Sequence, residues 1–219
     1  MTNLFRRTAA VLLIGATIGL GGAATANAEE AGMHGHPDTA AQYWSEQNYD
    51  DCAIMAAAHV IGIRTGHMPA EDDIVGVAGS IPSSQHDGPI YVITDSDDPD
   101  VGGTDPEDLP ALLSHYGVHA TYTDTDVASS GGPATGIPAL EQYLDSGQVV
   151  IASVNANTIW GLPEDGHGAH AVVVTGIDAA GSFVHLNDSG VNAGADEPVS
   201  FATFQSAWDD NDQRMVITD

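Results

Sequence analysis

The chain of 219 residues contains four arginines and no lysine, one cysteine, and no hydrophobic run of convincing membrane-spanning length. Each scarcity excludes something. Against the four basic residues stand 31 acidic ones, a formal charge of −27 with histidines neutral. Phosphate backbones are gripped by basic surfaces, so nucleic-acid binding is excluded. Cationic peptides, divalent ions or salty surroundings suit such a surface, which also keeps a protein soluble by self-repulsion. A single cysteine, Cys52, cannot close a disulfide within the chain, so the fold must rest on packing. A lone thiol is kept either for its reactivity or inside a core.

The apolar run Ala9 to Leu20 is too short and too rich in glycine for a membrane span. With Arg6 and Arg7 before it and Ala26-Asn27-Ala28 after it, residues 1–28 read as a secretory signal. Cleavage before Glu29 would remove two arginines and no acid, taking the charge to −29. The remainder suits one domain, expected to be exported and either extracellular or associated with the cell wall. Residues 29–41 read as a flexible leader, with His34 and His36 solvated, and residues 42–219 as the folded domain.

That domain is organised around Gln47 to Gly66. Asp50 and Asp51 are good helix-starting residues, and Ala53 to Ile63 is small or apolar on almost every side. This predicts a helix buried all round, opened by Cys52 and stopped by Gly66. Helix N-termini carry partial positive charge and favour thiolates, so the position suits a nucleophile. A second helix is expected from Pro69, with Ile74, Val77 and Ala78 buried. The run DSDDPD (95–100) is dense in carboxylates, but Pro99 and the missing closing Glu depart from a calcium loop, so it reads as a solvated acidic loop. Further helices are expected over 105–117 and from Pro138, a strand over 118–123, and a loop over 124–136. From Val149 the pattern turns to strands: 149–154, 169–177 and 183–186, then a short helix over 199–208 and a strand over 214–218. Helices first and strands later indicate an α+β fold.

His170 stands at the start of the β-forming run Ala169 to Val174, and the next strand ends in Leu186-Asn187-Asp188-Ser189-Gly190. Antiparallel neighbours bring the start of one strand beside the end of the next, which can place His170 against Asp188. A thiol, a histidine and an orienting carboxylate form a Cys–His–Asp triad. Gln47 can add a side-chain N–H to the Cys52 backbone N–H as an oxyanion donor. Asn187 is an alternative orienting residue. His59 reads as a satisfied core histidine, and His67, His115 and His119 as solvated. His167 flanks the site in a loop, and Trp160 is a candidate cleft wall. No cofactor motif or metal site is read from the sequence.

With Gln47-x4-Cys52-Ala53, a later Ala169-His170-Ala171-Val172-Val173-Val174 and Leu186-Asn187-Asp188-Ser189-Gly190, the chain resembles the papain-like cysteine peptidases. It is most similar to the bacteriocin-leader-processing peptidases and their secreted bacterial relatives. The resemblance runs from about Tyr43 to Thr218. It implies a helical part carrying Cys52 packed on an antiparallel sheet carrying His170. It also implies Cys52 as nucleophile, His170 as base, Asp188 as orienting acid and Gln47 as oxyanion donor. Two features depart from the pattern: Ala53 stands where many relatives have Gly, and the Gln47–Cys52 spacing is shorter. The implied substrate is a peptide or protein, with cationic peptides favoured by the charge. Two alternatives differ in kind: a cell-wall amidohydrolase of the same chemistry, and a non-catalytic cation- or peptide-binding module.

Overall fold

The computed structural model describes residues 32–93, 103–163 and 168–219. The expected signal segment, the acidic run 95–100 and His167 lie outside the described residues. The chain begins with β1 (Met33–Gly35), α1 (Pro37–Ala40) and a 3₁₀ turn (Ala41–Tyr43). It continues through α2 (Cys52–Thr65), α3 (Glu71–Ala78) and a 3₁₀ turn (Pro106–Asp108) that runs into α4 (Leu109–His115). Next come β2 (Ala120–Thr123), α5 (Thr125–Ser129), α6 (Ile137–Asp145), β3 (Val150–Asn155) and α7 (Ala156–Trp160). The last elements are β4 (Ala169–Asp178), β5 (Phe183–Asn187), β6 (Glu197–Ser200), α8 (Phe201–Asp209) and β7 (Met215–Thr218).

Seven strands among the described residues form one sheet in the order β2-β7-β3-β4-β5-β6, with β1 also paired to β4. Every pairing is antiparallel. The fold is α+β and papain-like, with helices first and the sheet assembled mainly by the C-terminal half. Side chains alternate across the strands, and each face has its own core. Ile151, Ala171, Val173 and Val216 pack beneath α2, α3 and α4. Val150, Val172, Val174, Met215 and Ile217 face α6 and α8. Cover on both faces explains why β4 is buried almost without interruption instead of alternating.

In α2 every residue from Ala53 to Gly62 is buried. Gly66 closes the helix in the left-handed conformation at φ 80°, its N–H bonded to Gly62 O, as the sequence suggested. Several boundaries differ from expectation. The described part of the supposed leader is folded, and Met33, His34 and Gly35 within it pair with Asp178, Ile177 and Gly176. His34 is therefore not merely solvated, because its Nδ1 meets Asp145 Oδ1 at 2.9 Å. The second helix starts at Glu71 rather than Pro69 and buries Val75 in place of Val77. The 124–136 stretch contains α5, capped by the Asp124 side chain on Val127 N–H. The short α7 and β6 carry too weak a periodic pattern to be read from sequence. Among the described residues, no helix is long and apolar enough to cross a membrane.

Candidate active site

Cys52 is the first residue of α2 and is half-buried. Asp51 occupies the N-cap position, but its side chain makes no capping bond, contrary to the expectation from its residue type. The positive end of α2 is thus left uncapped where the thiol sits. His170 is the second residue of β4, seated there because β4 pairs with β3 from Asn155↔Ala169 onward. On the other side of β4, Val173 is opposite Asn187, so the chain leaving β5 runs back past His170. His170 Nε2 lies 2.6 Å from Asp188 Oδ1. Cys52 lines the same cleft as His170 and its charge acts on the imidazole; the bond to Asp188 leaves Nδ1 as the nitrogen for the thiol. The three residues quoted from sequence for the triad are therefore brought together.

Asp188 is fully buried and richly supplied with donors. Gly190 N–H donates to Oδ1 at 2.7 Å, and Trp160 Nε1–H donates to Oδ2 at 2.9 Å. Burial works against its charge, but the His170 hydrogen bond and charge, then Trp160 and Gly190, hold the carboxyl below its usual range. Burial likewise opposes a charged His170. Its hydrogen bond to Asp188 and the interaction with Cys52, with the charges of both, outweigh burial and lift it to about 10. The imidazolium is the stable form across neutral pH.

Trp160, a candidate cleft wall whose more usual role would be packing, packs on the His170–Asp188 pair. Its ring lies 5.1 Å from the His170 ring, and it holds both members of the histidine–carboxylate pair. Gly190 leaves room for this arrangement: a Cβ there would lie 2.7 Å from Trp160 Cζ2 and 3.1 Å from His170 Cε1. Trp44, which carries no chemical signature in the sequence, donates from Nε1 to Asp188 O at 2.6 Å. Asn187 is turned elsewhere, donating to Ala40 O and accepting from Asp196 N–H. Gln47 is tied to the segment after the acid: its N–H donates to Ser189 O, and its Oε1 accepts from Ser189 Oγ. Gln47 Nε2 donates one N–H to Tyr49 O at 2.9 Å.

A cleft of about 420 Å³ opens over Cys52 and His170. Asp50 and Asp105 bring negative charge to its lining, Arg214 brings positive charge, and the buried Asp51 adjoins Cys52 there. His86, Asp105 and Asp108 have potential metal-ligand atoms within 4.8 Å of one another. However, the Asp108 carboxylate already accepts from Ser83 Oγ, Ser84 N–H and Ser84 Oγ at 2.5 to 2.7 Å. His59 is fully buried, accepts from Ser45 N–H through Nε2, and has no partner for Nδ1 among the described residues. Burial pushes it down to about 4, so it stays neutral. The core histidine expected at this position is satisfied on one side only.

Comparisons with known proteins place the chain in a family. Proteins of Mycobacterium tuberculosis and Mycobacterium bovis, both described only as uncharacterised, are 48% identical over 221 residues, covering 97% of this chain and 95% of each relative. The crystal structure of a C39-like peptidase candidate from Bacillus anthracis superposes with a TM-score of 0.62 at 16% identity, covering 85% of this chain and 97% of that one. That likeness is one of fold. The profile of the Peptidase C39-like family matches residues 37–216, which include Cys52, His170 and Asp188. The chain belongs to the C39-like peptidase family.

Proposed function

We propose that the protein is an exported cysteine peptidase that hydrolyses peptide bonds through Cys52, His170 and Asp188. The observation carrying this reading is that one cleft holds Cys52, at the start of α2, together with a His170 whose Nε2 meets Asp188 Oδ1 at 2.6 Å. Cys52 thiolate attacks the scissile carbonyl carbon, and the carbonyl electron pair moves to oxygen. The resulting oxyanion takes hydrogen bonds from Cys52 N–H and from the second N–H of Gln47 Nε2. As the C–N bond breaks, His170 Nδ1 gives its proton to the leaving nitrogen and the amine departs. The thioester is then attacked by water, whose proton His170 accepts. Collapse breaks the C–S bond, releases the carboxylic acid and restores the thiolate–imidazolium pair. Asp188 holds the ring in register throughout by accepting from Nε2–H.

The substrate class follows from charge. Among the described lining residues, the carboxylates of Asp50 and Asp105 face one arginine, Arg214, within a chain of formal charge −27. Cationic peptides are steered inward and anionic ones repelled. The test uses protein recovered from culture medium, with Glu29 expected as its first residue. Raising salt from low ionic strength to about 0.5 M, where the Debye length is only a few ångströms, should lower kcat/KM severalfold for a Lys- or Arg-rich peptide. An acidic peptide should show the opposite trend. Flat rates for both would remove the cationic specificity. Activity confined to purified cell wall, with none on peptides, would replace the peptidase reading by an amidohydrolase.

A further inference from the structure

Among the described residues lining the cleft, Asp51 is a buried acid for which the mechanism above has no use. It is 1% exposed and adjoins Cys52 in the cleft lining. Neither carboxyl oxygen has a hydrogen-bond partner among the described residues. Aspartate at an N-cap ordinarily turns its carboxylate onto the first-turn N–H groups, yet this one makes no such bond. A buried carboxylate without donors is costly as an anion. Glu71 of α3 adds like charge and is itself supplied with donors: Asn48 N–H, Asn48 Nδ2–H and Tyr49 N–H. The proton therefore belongs on Asp51.

We propose that Asp51 is a positioning residue for the nucleophile: as an uncharged acid it permits the Cys52 thiolate, and when it loses its proton it disfavours that thiolate. The proposal rests on the reading of Cys52 as nucleophile. Direct pairing of Asp51 with a substrate cation is ruled out by the burial of both oxygens; the exposed cleft acid Asp50 is the one able to do that. The charges around Asp51 fix the sign. Burial, then Glu71, with Asp50 adding a little, push it up to about 7. The Tyr49 and Tyr91 hydroxyls feel its charge, and His86, Asp105 and His170 share the cleft. Below about pH 7 Asp51 is neutral and the thiolate–imidazolium pair is unopposed. Above that pH the residue adjoining Cys52 carries an anion, so the pair weakens as pH rises.

The test is the rate of Cys52 alkylation by iodoacetamide, a neutral reagent, from pH 5 to 9 at fixed ionic strength. Wild-type protein should show an inflection near pH 7. Asp51→Asn should lack that inflection, matching wild type at the acid end and reacting about tenfold faster near pH 8, the scale of one like charge at close range. Glu71→Gln, which removes one like charge beside Asp51, should move the inflection to lower pH. A merely structural role would lower the rate by one factor at every pH. That outcome, or an inflection unchanged in both variants, overturns the proposal. If Asp51→Asn does not fold, the shift in Glu71→Gln decides alone. Alkylation needs no substrate, so the two readings fail separately. Alkylation indifferent to His170→Ala refutes the catalytic pair, whereas a normal inflection in a protein that cleaves no peptide refutes only the peptidase activity.

Discussion

Cys52→Ala is expected to lower peptide hydrolysis on the order of 10⁴-fold or more, the scale seen when a nucleophile is removed from an acyl-transfer enzyme. The fold should survive. Cys52 is half-buried at the end of α2, and the residues that hold that helix, Ala53 to Gly62, are untouched. Losing one sulfur from such a position costs about 1 kcal/mol, a change in Tm of about 2–4 °C for a domain of this size. Activity near wild type in Cys52→Ala would refute the mechanism, and a melting curve on the same sample separates lost chemistry from lost structure.

Asp188→Asn is expected to cost nearly as much, about 10⁴-fold in kcat, as the matching change does in a Ser–His–Asp enzyme. The carboxylate accepts from His170, Trp160 and Gly190 together. An amide in its place cannot accept on both sides, so it presents a donor either to the ring or to the tryptophan. The imidazole then loses its fixed orientation and the charge that keeps it protonated. Asn187→Ala should behave differently. Its amide joins Ala40 O to Asp196 N–H, so its removal leaves buried groups unpaired and costs about 1–3 kcal/mol of stability. Activity per folded molecule should stay close to wild type. Comparing kcat with Tm for the two variants checks this, and the reverse order would move the orienting role to Asn187.

The parts of the site legible in the sequence were those with local signals. Cys52 is marked by two acids before it and an apolar run after it, and His170 and Asp188 by a strand, a turn and a strand. Antiparallel pairing then does the rest, because it fixes which residues of β4 and β5 meet. The sequence does not show what depends on distant packing. Trp44 and Trp160 serve Asp188 from positions 144 and 28 residues away, and neither belongs to any periodic pattern. The N-terminal strand was hidden for a similar reason. Met33–Gly35 is too short to alternate, and it is a strand only because β4 offers it an edge. Asp51 departs in the other direction, since its residue type predicts a cap and its buried oxygens have no hydrogen-bond partner among the described residues.

The central claim is that Cys52 forms a covalent bond with substrate, and the mass of the trapped protein tests it most directly. An ester substrate of a cationic amino acid acylates quickly, so quenching with acid during turnover should catch the thioester. The account predicts an intact protein heavier by the mass of the acyl group, with the added mass on the peptide that contains Cys52. It also predicts that neither Cys52→Ala nor His170→Ala accumulates the adduct. Steady turnover with no adduct, or with the acyl group on another residue, would contradict it.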